Sequence, residues 1–216
     1  MRRAAAFLAV VALLTPAPAL AHEGNPNYRS EISGIAPATD GVTVEVLNRD
    51  DRLLLHNTSD RDVVILGYDD EPYARVLADG TVEVNTDSEA YYLNDDRFAD
   101  VEVPAGVDGK GRPQWKEVGK TGRFEWHDHR AHWMGKGTPP QVTDPDVETK
   151  VFDWSVPIEV GEQRGAIAGK LHWTPLPGGG PPLGAVFAGA ALLIASCIAV
   201  FVVRHRRRSS APAEAW

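Results

Sequence analysis

The 216-residue chain has a single cysteine, Cys197, and it lies inside an apolar run near the C-terminus. No disulfide can staple the residues before it, so whatever folds there is held by its own core. Catalytic signatures are missing as well. There is no G-x-S-x-G elbow, no H-E-x-x-H helix, no phosphate-cradling glycine loop and no cysteine nucleophile ahead of Cys197, so the expectation is a protein that is not an enzyme. Basic charge is scarce in the same region. Residues 22–181 hold 16 Lys and Arg against 29 Asp and Glu, which argues against nucleic acid as a partner, since phosphate binding rests on basic side chains. Cations and basic surfaces suit it better. Long helical periodicity is absent between the two apolar ends.

Those ends are informative. Arg2 and Arg3, an uncharged run from Ala4 to Leu14, Pro16, Pro18 and the small-residue triplet Ala19-Leu20-Ala21 follow the order of a secretory signal peptide over residues 1–21, leaving His22 as the mature terminus. A second uncharged run, Leu183 to Val203, has 21 residues, enough at 1.5 Å per residue to cross a hydrocarbon core of about 30 Å. Arg204, His205, Arg206, Arg207 and Arg208 follow at once, and such a cluster stays on the cytoplasmic side. The expected topology is a single-pass protein of the cell membrane. Residues 22–174 form an extracytoplasmic domain, 175–182 a Pro/Gly linker and 204–216 a basic cytoplasmic tail.

Between the ends, short alternating runs rich in β-branched residues are separated by Gly, Asp, Asn and Pro, the pattern of an all-β domain. Val42–Leu47 and Arg52–Asn57 read as a hairpin. Asp62–Tyr68, Ala74–Leu77 and Thr81–Asn85 follow, the last two joined through Ala78-Asp79-Gly80. A loop-rich stretch over 94–113 is long for a compact domain and marks a possible subdivision. Trp115–Val118, Gly122–Asp128, Thr149–Val160 and Gly165–Trp173 each carry a tryptophan. Burying those rings calls for two packed layers, so the expected fold is an immunoglobulin-like β-sandwich followed by one transmembrane helix.

The segment Phe124-Glu125-Trp126-His127-Asp128-His129-Arg130-Ala131-His132-Trp133-Met134 places three histidines within six residues. If it runs as a strand, alternation puts His127 and His129 on one face, where two imidazoles can converge on a metal, with His132 adding a third ligand from the turn. In the competing reading Trp126 and Trp133 are core and Arg130 pairs with Asp128 to pin a corner. An N-terminal His22 offers its α-amine and imidazole together, a grip suited to Cu(II). His56 and His172 read as structural. The acidic turns Asp50-Asp51, Asp69-Asp70-Glu71 and Asp95-Asp96 match no twelve-residue calcium loop and read as solvated.

With a mature His terminus, a β-rich domain and a C-terminal membrane helix, the chain resembles the CopC-like and YcnI-like copper-handling proteins of the bacterial envelope. In organisation it is also similar to single-pass proteins of actinobacteria. In CopC-like proteins an Asp-x-His pair completes the site begun by the terminal histidine; this chain has Glu125-Trp126-His127 and His127-Asp128-His129 instead. The resemblance implies copper binding or relay through His127, His129, His132 and His22. The alternative is a metal-free interaction module that presents the 94–113 and 138–147 loops to an envelope protein partner.

Overall fold

The computed structural model describes residues 26–176 and 183–209. Residues 1–21, expected to form a signal peptide, and His22 lie outside the described residues. In chain order the elements are β1 (Tyr28–Ala36), β2 (Val42–Leu47), β3 (Arg52–Asn57), β4 (Val63–Leu66), β5 (Pro72–Val76), β6 (Val82–Asn85), α1 (Glu89–Leu93), β7 (Trp115–Gly119), β8 (Arg123–Trp126), β9 (Thr149–Val160), β10 (Gln163–Trp173) and α2 (Leu183–Ser209). The strands divide between a seven-stranded antiparallel sheet of order β1-β10-β9-β4-β5-β6-β7 and a three-stranded one of order β2-β3-β8. The described residues form a β-sandwich and one apolar helix.

Alternation builds the core. Along β9, Val151, Trp154, Val156, Ile158 and Val160 turn inward, and along β10 Ile167, Leu171 and Trp173 do the same. The small sheet supplies Val42, Leu53, Leu55, Phe124 and Trp126 to the same buried cluster. Each fully buried Leu, Ile or Val removes enough apolar surface from water to stabilise the fold by about 1.5–3 kcal/mol. Trp154 crosses onto its β10 neighbour, Gly169, where a Cβ would stand 2.1 Å from the indole Cζ2. Its Nε1 donates to Ser30 Oγ at 2.7 Å, which accounts for a buried serine on β1. Every strand pairing and core residue falls between Tyr28 and Trp173, so the sandwich closes its core without α2.

The 94–113 stretch does not divide this domain, because β6 before it pairs with β7 after it. Nor is the stretch free of the body. Arg97 anchors its start, and Gly109 N donates to Asp87 O at 2.8 Å. Of the four tryptophans expected in the layers, Trp126, Trp154 and Trp173 are buried, while Trp115, on the edge strand β7, is half-buried beneath the Arg75 guanidinium.

As a unit of its own, α2 contains Phe187–Arg206, a span long and apolar enough to cross a membrane. Its described side chains from Phe187 to Arg206 are all exposed, as a lipid-facing helix requires.

Candidate functional site

Strand β8 ends at Trp126, two residues short of the expected Asp128. The alternation that was to carry His127 and His129 onto one face therefore does not extend to them. Asp128 makes the turn. Its carboxylate accepts from Trp126 Nε1 at 2.9 Å, from the Arg130 backbone N–H at 3.1 Å, and from Arg130 Nε and Nη2 at 2.8 Å each. Arg130 in turn donates to the carbonyls of Gly67 and Leu66 at the end of β4 and lies over the Tyr68 ring. This is the pinned corner: the Asp128 side chain is wholly buried, and its charge is met by a guanidinium held in place by four oxygen atoms.

The three histidines diverge from that corner to different partners. His127 Nδ1 lies 2.8 Å from the carbonyl of Asp51, and because a carbonyl only accepts, Nδ1 carries the proton. By the same logic His129 Nε2–H donates to Asp96 O at 2.9 Å, with its ring stacked on Tyr68. His132 sits deepest, 1% exposed, its Nδ1 3.4 Å from Trp133 O and its Nε2 without a hydrogen-bond partner among the described residues. Its ring meets that of His129 edge-on at 5.6 Å. Burial, with the positive charge of Arg97 nearby, pushes the His132 pKa down to about 4. Burial also lowers His127. Among the described residues there is no group of three or more His, Cys, Asp or Glu side chains placed to hold one metal ion.

Below these rings Arg97 spans two carboxylates, Nη1 to Asp51 Oδ1 and Nη2 to Asp50 Oδ2, both at 2.8 Å. The Asp50-Asp51 turn is thus buried rather than solvated, contrary to expectation. The hairpin gives the reason: Asn48 and Arg49 both take positive φ, 49° and 73°, which turns the two acids inward toward Arg97. Asp51 also has the Arg52 guanidinium at 3.9 Å, whereas the Asp50 side chain, fully buried, has Arg97 alone. Burial raises Asp50 to about 6, against the opposing pull of Arg97. His56 is half-buried opposite Thr43, and His172 Nδ1 lies 3.6 Å from Glu148 Oε1; each keeps a structural place.

Arg97 also forms part of a cleft of about 930 Å³ bounded by residues 97–100 on one side and 133–138 on the other, with Tyr28 and Trp173 from the chain's two terminal strands. Phe98 and Met134 stand at its mouth, 57% and 38% exposed. Trp133 folds over Gly135, where a Cβ would sit 2.4 Å from Cζ2, and its Nε1 donates to Gly137 O at 2.9 Å. Sequence reasoning singled out the 94–113 loop and placed Trp133 in the core, but did not bring the two together as a cleft. The available signal was Phe98, the single aromatic of that loop, and a Trp-Met-Gly-Lys-Gly run just beyond the histidine cluster.

Compared with known protein families, curated proteins and solved structures, the chain matches none.

Proposed function

We propose that the protein is an exported, membrane-tethered binding module that receives a ligand or envelope partner in the cleft between residues 97–100 and 133–138. The observation that supports this reading is the cleft itself. It is the size of a small-molecule site, opens to solvent, and is walled by aromatic rings on loops whose bases are fixed by Arg97 and by Trp133. The arginines after Val203 favour placing the sandwich outside and the tail inside. A photoreactive phenylalanine analogue at Met134, irradiated in living cells, should give a discrete adduct, whereas the same analogue at the exposed Val147 should not. Equal, diffuse labelling from both positions would overturn the reading.

A second reading, copper binding or relay, rests on the imidazole tautomers. Each of His127, His129 and His132 has one ring nitrogen against a main-chain carbonyl, as metal-ligating histidines do, which leaves the other nitrogen as a lone pair. His22 would add an α-amine. The domain with an authentic His22 terminus should then retain one Cu(II), and replacing His127 and His129 together by alanine should weaken it by about tenfold or more, the loss of at least about 1.4 kcal/mol. A serine placed ahead of His22 tests the terminal ligand separately. Retention no greater than that of a protein without a histidine cluster would end the copper reading.

A further inference from the structure

Resting on the cleft reading and on α2 as a membrane anchor, we infer that the cleft holds a zwitterionic phospholipid of the leaflet on the sandwich's side. The first step is where the cleft lies along the chain. Its walls include Tyr28 and Trp173, register partners of β1 and β10 at the end where the chain leaves the sandwich. Leu183, the first residue of α2, comes ten residues after Trp173, and ten residues span at most about 36 Å even when fully extended. A bilayer crossed by α2 therefore stays within reach of the cleft, at an effective concentration of the order of millimolar. Lipid is the one class of molecule that the covalent chain itself keeps at hand. The same end carries the apolar exposure. Among the described residues up to Trp173, the large apolar side chains left exposed are Phe98, Val118, Met134 and Val147. Phe98 and Met134 stand at the cleft mouth, and Val147 follows Pro145, whose carbonyl accepts from Trp173 Nε1 at 3.0 Å. Three of the four thus lie around the chain's exit, where acyl chains would cover them.

The second step concerns charge, for which the cleft selects no single sign. Arg97 is engaged by Asp50 and Asp51. Among the described lining residues, the charged groups left without a partner are the Lys136 ammonium and the Asp100 carboxylate. A simple anion or cation meets one like charge there, and a plain hydrocarbon leaves both charges unanswered. A zwitterionic headgroup uses both, its phosphate with Lys136 and its ammonium with Asp100. Trp133 Nε1 is committed to Gly137 O and Trp173 Nε1 to Pro145 O, so what the rings have left to offer is carbon, which suits methylene groups and a quaternary ammonium. An amphiphile with both signs at one end and hydrocarbon at the other matches the mixed lining and the apolar mouth together.

The test places a photoreactive phenylalanine analogue at Met134, Val147 or Glu162 of the full chain, reconstituted in nanodiscs of phosphatidylcholine, and reads adducts by mass spectrometry. Glu162 is exposed at the tip of the β9–β10 hairpin, about 33 Å along β10 from Trp173. Met134 should give a singly lipidated chain, Val147 much less and Glu162 none. Phe98→Ser should cut the Met134 adduct by about fivefold and leave the urea midpoint unchanged, since that side chain is exposed. Lys136→Gln and Asp100→Asn should each reduce the adduct, and adding phosphatidylglycerol to the discs should not raise it. Equal lipid labelling at Met134 and Val147, labelling that ignores both charge substitutions, or a rise with phosphatidylglycerol would overturn the assignment. If the discs give no lipid adduct while Met134 is labelled discretely in living cells, the lipid assignment falls and the cleft reading stands. If Met134 is labelled in neither setting, both fall.

Discussion

His127 donates from Nδ1 to the carbonyl of Asp51 at 2.8 Å and stands 3.5 Å from that residue's own carboxylate. Through this one imidazole the chain leaving β8 is tied to the β2–β3 turn, and Arg97 ties the same turn to the long loop after α1. Three segments distant in sequence thus share a small, largely buried cluster of ionisable groups.

That cluster makes stability depend on pH with opposing signs. Asp50 has a folded pKa of about 6, above its unfolded value near 3.8, so its contribution is fully present below 3.8 and is lost as pH rises through 6. His132 has a folded pKa of about 4, below its unfolded 6.5, so its contribution is present above 6.5 and is lost as pH falls toward 4. Urea unfolding of the sandwich at pH 7 and pH 4.5 should show His132→Gln gaining on wild type by about 2 kcal/mol as the pH falls. Asp50→Asn should lose ground over the same interval. Two variants that run parallel to wild type at both pH values would refute the assignment.

Replacing Asp128 by alanine removes the carboxylate that hydrogen-bonds Arg130 and leaves that cation with main-chain carbonyls and the Tyr68 ring. The expected cost is about 3–5 kcal/mol, seen as a lower urea midpoint. A second change, Arg130→Met, made together with Asp128→Ala, should recover a good part of it, because no unpaired charge is then left behind. No recovery in the double variant would show that the corner is held by something other than charge.

How much of this could be read from the chain varies by element. Val42–Leu47, Arg52–Asn57 and Thr149–Val160 were visible to the residue, the first and last because β-branched alternation there coincides with burial on one face, the middle one because a short run of leucines follows directly on a turn. The first strand escaped notice. Its inward positions include Ser30, buried only because Trp154 donates to it, and its register slips between Ile32 and Gly34, so no apolar period survives. Alternation misled at His127 and His129 because Asp128 bends the backbone to reach Arg130, a partner on its own segment whose hold depends on carbonyls more than sixty residues earlier. The cleft is less legible still. Tyr28 and Trp173 come from β1 and β10 and Phe98 and Trp133 from two separate loops, so no single stretch of sequence announces them.

For the anchor, protease added to intact cells should remove the sandwich and spare a tag at Trp216. The uncharged run and the arginines behind it lead to this outcome. Loss of the tag without lysis would reverse the orientation.

A fragment from His22 to Pro177 should fold alone, since all of the pairing and core described for the sandwich lies within it. Circular dichroism should show strand and little helix, with a cooperative melt. A fragment that stays unfolded without the apolar segment would contradict the separation of the two units.

The chain leaves the sandwich from β10, which lies between β1 and β9, and at the exit Thr174 N donates to Asn27 O at 2.6 Å while Asn27 Nδ2 donates to Thr174 O at 3.2 Å. A pull entering at this end, along the strand, loads the ladders on both flanks of β10 together instead of peeling one bond at a time. The Asn27–Thr174 clasp takes the first of that load. Tension drawn through the exit at Thr174 is thereby shared with the start of β1 before it reaches the core.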